Sequence, residues 1–193
     1  MRLTSDDLHL RGVALSNSGR LSAAYRTLQS ASRRAVSRDQ RARIVGTLAY
    51  VLTRTGRPDE AEAICRDALD EGDGRGRLST SSIAVLHGQL GALAVERGDF
   101  DQALSWLERA VGAESNEARL GGMLTNRGVA LMRLGRLAQS KDALHLAARY
   151  YRSAGFMEDH AVNVHNRGYV DTLEGDMEKA RERRKEERRR ADP

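Results

Sequence analysis

Apolar residues recur at three- and four-residue steps through most of the chain, which is the period of a helix face. Ile44, Leu48, Val51 and Leu52 form one such run. The runs are punctuated by a recurring phrase: a Gly or Ala, a Gly seven positions on, and then usually an Ala five positions later. It reads Gly12, Gly19, Ala24, Leu28, Ala31, and next Ala49, Gly56, Ala61, Cys65, Ala68. It continues as Gly91, Gly98, Ala103, Leu107, Ala110 and as Gly128, Gly135, Ser140, Leu144, Ala147. A fifth instance opens with Gly168, Gly175 and Ala180 and then fails. The second glycines lie 37, 42, 37 and 40 residues apart. Self-similarity at such a period marks a stack of supersecondary units.

Each unit is predicted to be a helical hairpin. The second Gly suits a left-handed C-cap, where a side chain would clash. Pro58 falls in the first turn of the following helix, where no backbone donor is lost. The paired small residues (Gly12/Ala24, Ala49/Ala61, Gly91/Ala103, Gly128/Ser140) let the two helices approach closely. Ten helices are expected, over residues 5–18, 21–35, 39–55, 58–71, 80–97, 100–112, 116–134, 137–154, 158–174 and 177–190. Ser37 followed by Gln40 reads as a capping box for the third. The longest connection, Gly72 to Ser79, accounts for the 42-residue spacing and is read as a surface loop. The tenth helix departs from the rest. From Met177 it reads MEKARERRKEERRR, with no apolar residue between Ala180 and Ala191. Arg184 takes the place held by Leu28, Cys65, Leu107 and Leu144. A helix polar all round buries no face, so this one is expected to fray. The chain therefore divides into a repeat array over 1–177 and a charged helical tail over 178–193.

Small residue, glycine turn and alanine at these spacings resemble the tetratricopeptide (TPR) repeat, in four units and half of a fifth, with Ser140 the one mild departure. The resemblance implies an all-α, TPR-like superhelix of stacked antiparallel helix pairs. A narrower likeness rests on Leu124–Ala138, LTNRGVALMRLGRLA, and on His165-Asn166-Arg167-Gly168-Tyr169. These stretches resemble the TPR-like regions of actinobacterial CHAT proteins, in which a caspase-like protease domain follows the repeats and uses a His/Cys pair. The likeness spans about residues 8–177. The chain ends at Pro193, and the expectation is a stand-alone or truncated relative without the protease domain. An excess of Arg over Lys, 29 to 3, fits an actinobacterial source.

Composition narrows the classes. Aromatics at 4% and two prolines exclude a turn-rich β-sandwich or barrel. One cysteine excludes a disulfide scaffold. No apolar run approaches the roughly 18 residues of a membrane span, and the N-terminus turns acidic at Asp6 and Asp7 before any apolar stretch. A cytoplasmic protein is expected. The net charge of +5 is uneven: residues 178–193 hold eight basic and five acidic side chains, net +3, and the other 177 residues only +2. The tail has no aromatic for base stacking and no apolar face for a bilayer, so neither nucleic acid nor membrane is the expected partner.

No catalytic constellation emerges. Cys65 lies at a core position of its helix and reads as a small hydrophobe. His9, His87, His145, His160 and His165 offer no i, i+4 pair for a metal. Gly72-Asp73-Gly74-Arg75-Gly76 lacks both the phosphate-loop and the calcium-loop pattern. No enzyme activity, cofactor or metal is expected. By the TPR resemblance, the first helix of each unit lines a concave groove that takes a protein or peptide partner. Carried over by position, the lining comprises Thr47, Tyr50, Arg54, Gln89, Asn126, Arg133, His165, Asn166 and Tyr169. Asn126 and Asn166 share one repeat position and could hold a peptide backbone through both amide groups; Arg54 and Arg133 share another and could meet a carboxylate. The implied function is a non-enzymatic interaction module, within a CHAT-type protease system. The alternative is a regulatory remnant of such a protease.

Overall fold

A computed structural model describes residues 3–70 and 78–191, and among them the chain is all helix. The elements are α1 (Ser5–Asn17), α2 (Leu21–Arg33), α3 (Arg38–Arg54), α4 (Pro58–Asp70), α5 (Thr80–Arg97), α6 (Phe100–Ala113), α7 (Glu117–Arg133), α8 (Leu137–Ala154) and α9 (Met157–Ala191). Most of the Gly72–Ser79 connection lies outside the described residues.

Helix starts follow local chemistry. Thr4 and Asp7 close a reciprocal capping box on α1. Ser37 accepts from the Gln40 N–H at 3.1 Å, but the Gln40 side chain turns to the Val36 N–H instead, so only half of the expected box forms. Helix ends rely on glycine. Gly19, Gly56, Gly98 and Gly135 have φ between +73° and +85°, a region that a Cβ disfavours. At each, the next residue's N–H reaches back five residues, as Arg20 does to Leu15 O and Asp99 to Ala94 O, both at 2.9 Å.

Hairpins close by seating a leucine on a glycine. An ideal Cβ on Gly12, Gly91 or Gly128 would fall within 2.6 Å of Leu28, Leu107 or Leu144. The second hairpin has Ala49 and Cys65 at these positions, a larger residue against a smaller one, both fully buried. Ser140 is buried as well, and its hydroxyl donates to Gly128 O at 2.7 Å, so the polar substitution is satisfied.

Stacking gives the array its inside and outside. The backbones of α1, α3, α5, α7 and α9 contact one another in sequence, whereas those of α2, α4, α6 and α8 do not. The first helices therefore form the crowded inner wall. Glycines make that crowding possible: a Cβ on Gly46 would lie 2.3 Å from Val85 of the next first helix, and one on Gly88 would lie 2.7 Å from Met123.

The C-terminal unit departs from expectation. In place of two helices over 158–174 and 177–190, α9 runs unbroken for 35 residues. Gly175 sits inside it rather than at a left-handed cap. The physical reason is in the sequence beyond it. A turn at Gly175 would fold a polar helix onto Gly168 with Arg184 in the leucine place, whereas a helical glycine costs only about 1 kcal/mol. Gly155, with φ +76°, supplies the left-handed cap of α8, a turn that lies outside the repeat phrase. α9 crosses the expected boundary at residues 177 and 178 without a break. Beyond Glu182 its side chains lie outside the described residues.

Candidate functional site

Positions on the inner wall repeat with the hairpins. Two residues before each small residue stand Leu10, Thr47, Gln89, Asn126 and Asn166; one residue after it stand Val13, Tyr50, Ala92, Val129 and Tyr169. Tyr50, Gln89 and Asn126 line a single groove of about 370 Å³ across α3, α5 and α7. Its floor is small and apolar, with Val85, Gly88, Ala92, Val95, Gly122 and Met123; Thr53, Glu96 and Arg119 complete the lining. The amides of Gln89 and Asn126 make no hydrogen bond to any described residue. Two unengaged amides above an apolar floor can each donate to and accept from a ligand backbone.

The other expected residues are placed elsewhere or already engaged. Thr47 is half-buried, with its hydroxyl 2.9 Å from His9 Nε2 across the α1–α3 seam. Arg54 donates to the Tyr50 hydroxyl at 2.9 Å and lies 5.8 Å from that ring's centroid, so it braces Tyr50 without itself lining the groove. Arg133 lies over the Phe100 ring at 5.5 Å, away from the groove. His165, Asn166 and Tyr169 stand on α9 and do not line the groove. His165 and Tyr169 are exposed, and Asn166 is half-buried.

One wall is held by a group that the repeat pattern did not single out. The Glu114 carboxylate, with no side-chain exposure, receives Arg119 Nε at 2.6 Å and its Nη2 at 2.9 Å, plus the N–H groups of Ser115 and Asn116, both at 2.8 Å. Burial opposes ionisation of Glu114. The Arg119 guanidinium and the two N–H groups outweigh it and hold the carboxyl below its ordinary range. Arg119 is thereby fixed between the groove and a second concavity of about 770 Å³ that reaches Tyr151 and Phe156. A Glu five residues before an Arg across a short connection is the only sequence trace of this clamp.

The remaining candidates for chemistry are quiet. Cys65 is fully buried, and burial pushes its thiol up to about 12, far from a reactive thiolate. Among the described residues no group of three or more His, Cys, Asp and Glu could hold a metal ion. No helix among them is long and apolar enough to cross a membrane.

Comparison with known proteins agrees with this architecture. No curated protein matches the chain. MamA from Desulfovibrio magneticus RS-1, from residue 41 to its end, superposes with a TM-score of 0.51 at 18% identity, over 89% of this chain and 96% of that one. A tetratricopeptide repeat protein from Parabacteroides merdae ATCC 43184 superposes with a TM-score of 0.51 at 14% identity, over 89% and 73%. At these identities the likeness speaks for the fold alone. Residues 40–113, from α3 to the end of α6, match the tetratricopeptide repeat family, and the described residues have a TPR-like superhelical fold.

Proposed function

We propose that the chain is a non-enzymatic interaction module that holds an extended segment of a partner protein in the groove between α3 and α7. The observation that carries this is the pair of unengaged amides, Gln89 and Asn126, above an apolar floor and beside Tyr50. An extended peptide would exchange backbone hydrogen bonds with both amides and set small apolar side chains against Val85, Ala92 and Met123. Beyond this centre, Arg54 beside Tyr50 and the exposed His165 and Tyr169 with Asn166 on α9 would meet the segment where it leaves the groove, and Arg133 would have to leave Phe100 to reach it. The array would act over residues 1–177, with 178–193 as an appended charged tail. The repeated Asn-Arg-Gly at Asn126 and Asn166 supports a place beside a CHAT-type protease in an actinobacterial cytoplasm.

The test is selection of a displayed library of random linear peptides on the immobilised protein, then affinity measurement of the enriched sequence. Gln89→Ala with Asn126→Ala is expected to weaken it about tenfold or more while helicity and melting hold, since each lost hydrogen bond costs about 0.5–1.5 kcal/mol. Unchanged affinity, or no enrichment at all, would overturn the reading.

A further inference from the structure

In the first four units the small residue of the first helix is covered by the second helix. On α9 it is bare: an ideal Cβ on Gly168 meets nothing within 4 Å, and Val162, Val164 and Tyr169 of the same helix are exposed. The chain's own tail does not turn back to cover it, because α9 is unbroken through Gly175. At 1.5 Å per residue, Arg184 lies about 24 Å along the axis from Gly168.

The charge along α9 identifies what would. Residues 157–176 carry five acidic side chains and one basic, net −4; residues 177–191 carry eight basic and four acidic, net +4. Lys141 of α8 pairs with Asp171 and Glu174 at 2.8 and 2.7 Å and offsets one acidic charge, leaving the acidic half negative. One helix thus has two halves of opposite sign. The acidic half is docked on the array by Val170, Asn163 and Leu173, whereas Glu178, Lys179, Arg181 and Glu182, the described side chains at the start of the basic half, are exposed. We infer that α9 pairs with α9 of a second copy of this chain, antiparallel, so that each basic half lies along the uncovered face of its partner's acidic half. The antiparallel sense sets an acidic half against a basic half at both ends of the pair, and the parallel sense sets like charge on like. The shared axis is two-fold, so the contact closes on a dimer.

The experiment is sedimentation velocity of the full chain at graded salt. A dimer is expected at low salt, dissociating as screening shortens from about 30 Å at 0.01 M to about 3 Å at 1 M. Two reversal variants sharpen it. Lys185→Glu with Arg188→Glu and Arg189→Glu makes both halves acidic; Glu158→Lys with Asp159→Lys and Asp176→Lys makes both basic. Each alone is expected to be monomeric at low salt with unchanged helicity, and an equimolar mixture is expected to regain the dimer. A monomeric wild type at low salt, a dimer indifferent to salt and to both reversals, or a mixture that stays monomeric would overturn the pairing. So would a monomer that instead retains duplex DNA through the tail, which would assign the basic half to phosphate.

Discussion

Helices α5 and α9 carry the same repeat phrase, around Gly91 and around Gly168, and use it in opposite ways. In α5 the phrase is complete: Gly98 ends the helix in the left-handed region, α6 returns, and Leu107 settles onto Gly91. In α9 the glycines are present but the returning apolar helix is not, and the helix continues unbroken. Glycine at the turn position permits a hairpin; the leucine four residues beyond the alanine supplies the free energy that makes one. Fully burying such a side chain stabilises by about 1.5–3 kcal/mol, more than a helical glycine costs.

The largest test removes that leucine. Leu107→Ala should cost about 2–5 kcal/mol in denaturant unfolding, since it empties a closed site over Gly91. A cost below about 1 kcal/mol would show that the hairpin is held elsewhere. The same position can be probed from the other side with opposite signs. Gly91→Ala forces a Cβ to within 2.8 Å of two Leu107 carbons and should cost about 1–3 kcal/mol. Gly168→Ala meets open space within a helix and should add up to about 1 kcal/mol to the stability of α9. Equal signs would break the comparison.

A second difference lies between the inner and outer seams of the first helices. The α3–α5 and α5–α7 seams set an apolar side chain on a glycine, Val85 on Gly46 and Met123 on Gly88. The α7–α9 seam sets Asn163 against Thr125 instead, with Nδ2 donating to Oγ1 at 3.2 Å. Asn163 is 0% exposed, and its Oδ1 has no partner. A buried orphan acceptor costs about 1–3 kcal/mol. Asn163→Met installs the residue found at the equivalent place in α7, and Thr125 keeps its bond to Gly121 O. The expected outcome is about 1 kcal/mol of added stability, read as slower amide exchange through α9. Faster exchange would mean that the Asn163–Thr125 bond matters more than the orphaned oxygen.

Much of this fold was legible in the sequence because repetition averages out local noise. Four hairpins share one phrase, and their glycine turns and small-residue contacts follow from it. α9 departs from the expected pair of helices because the phrase signals permission for a turn, while the outcome depends on the missing apolar face of the segment after it. The groove was legible in part. Repeat position placed Tyr50, Gln89 and Asn126 together, since it fixes which face of a helix is inner. It could not place Arg133, whose long side chain lies over Phe100, nor show that Thr47 is taken by His9. Such engagements depend on side chains from neighbouring helices, which vary from unit to unit. The Glu114–Arg119 clamp spans a connection, where no repeat phrase runs.

The smallest expected effect concerns the opposite end of the stack. The α1–α3 seam is polar like the last one, with His9 Nε2 against Thr47, but here both atoms are satisfied. Burial, and then the Arg43 charge, hold His9 below its ordinary value; Asp6 opposes them weakly. The folded state therefore favours the neutral imidazole, whereas the unfolded chain takes up a proton near pH 6.5. Between that value and the lower folded one the unfolded state binds more protons, so stability is full above about pH 6.5 and falls as pH drops through this window. His87 is depressed too, by burial and by Arg109, and contributes with the same sign from the middle of the array. His9→Gln isolates the end seam: it keeps a side chain able to meet Thr47 and removes the titration. Melting followed against pH should show wild type and variant running parallel above about pH 7, with the wild type losing ground to the variant below about pH 6. Curves that stay parallel throughout would place His9 in solvent, and the first seam would then be as weakly bound as the last.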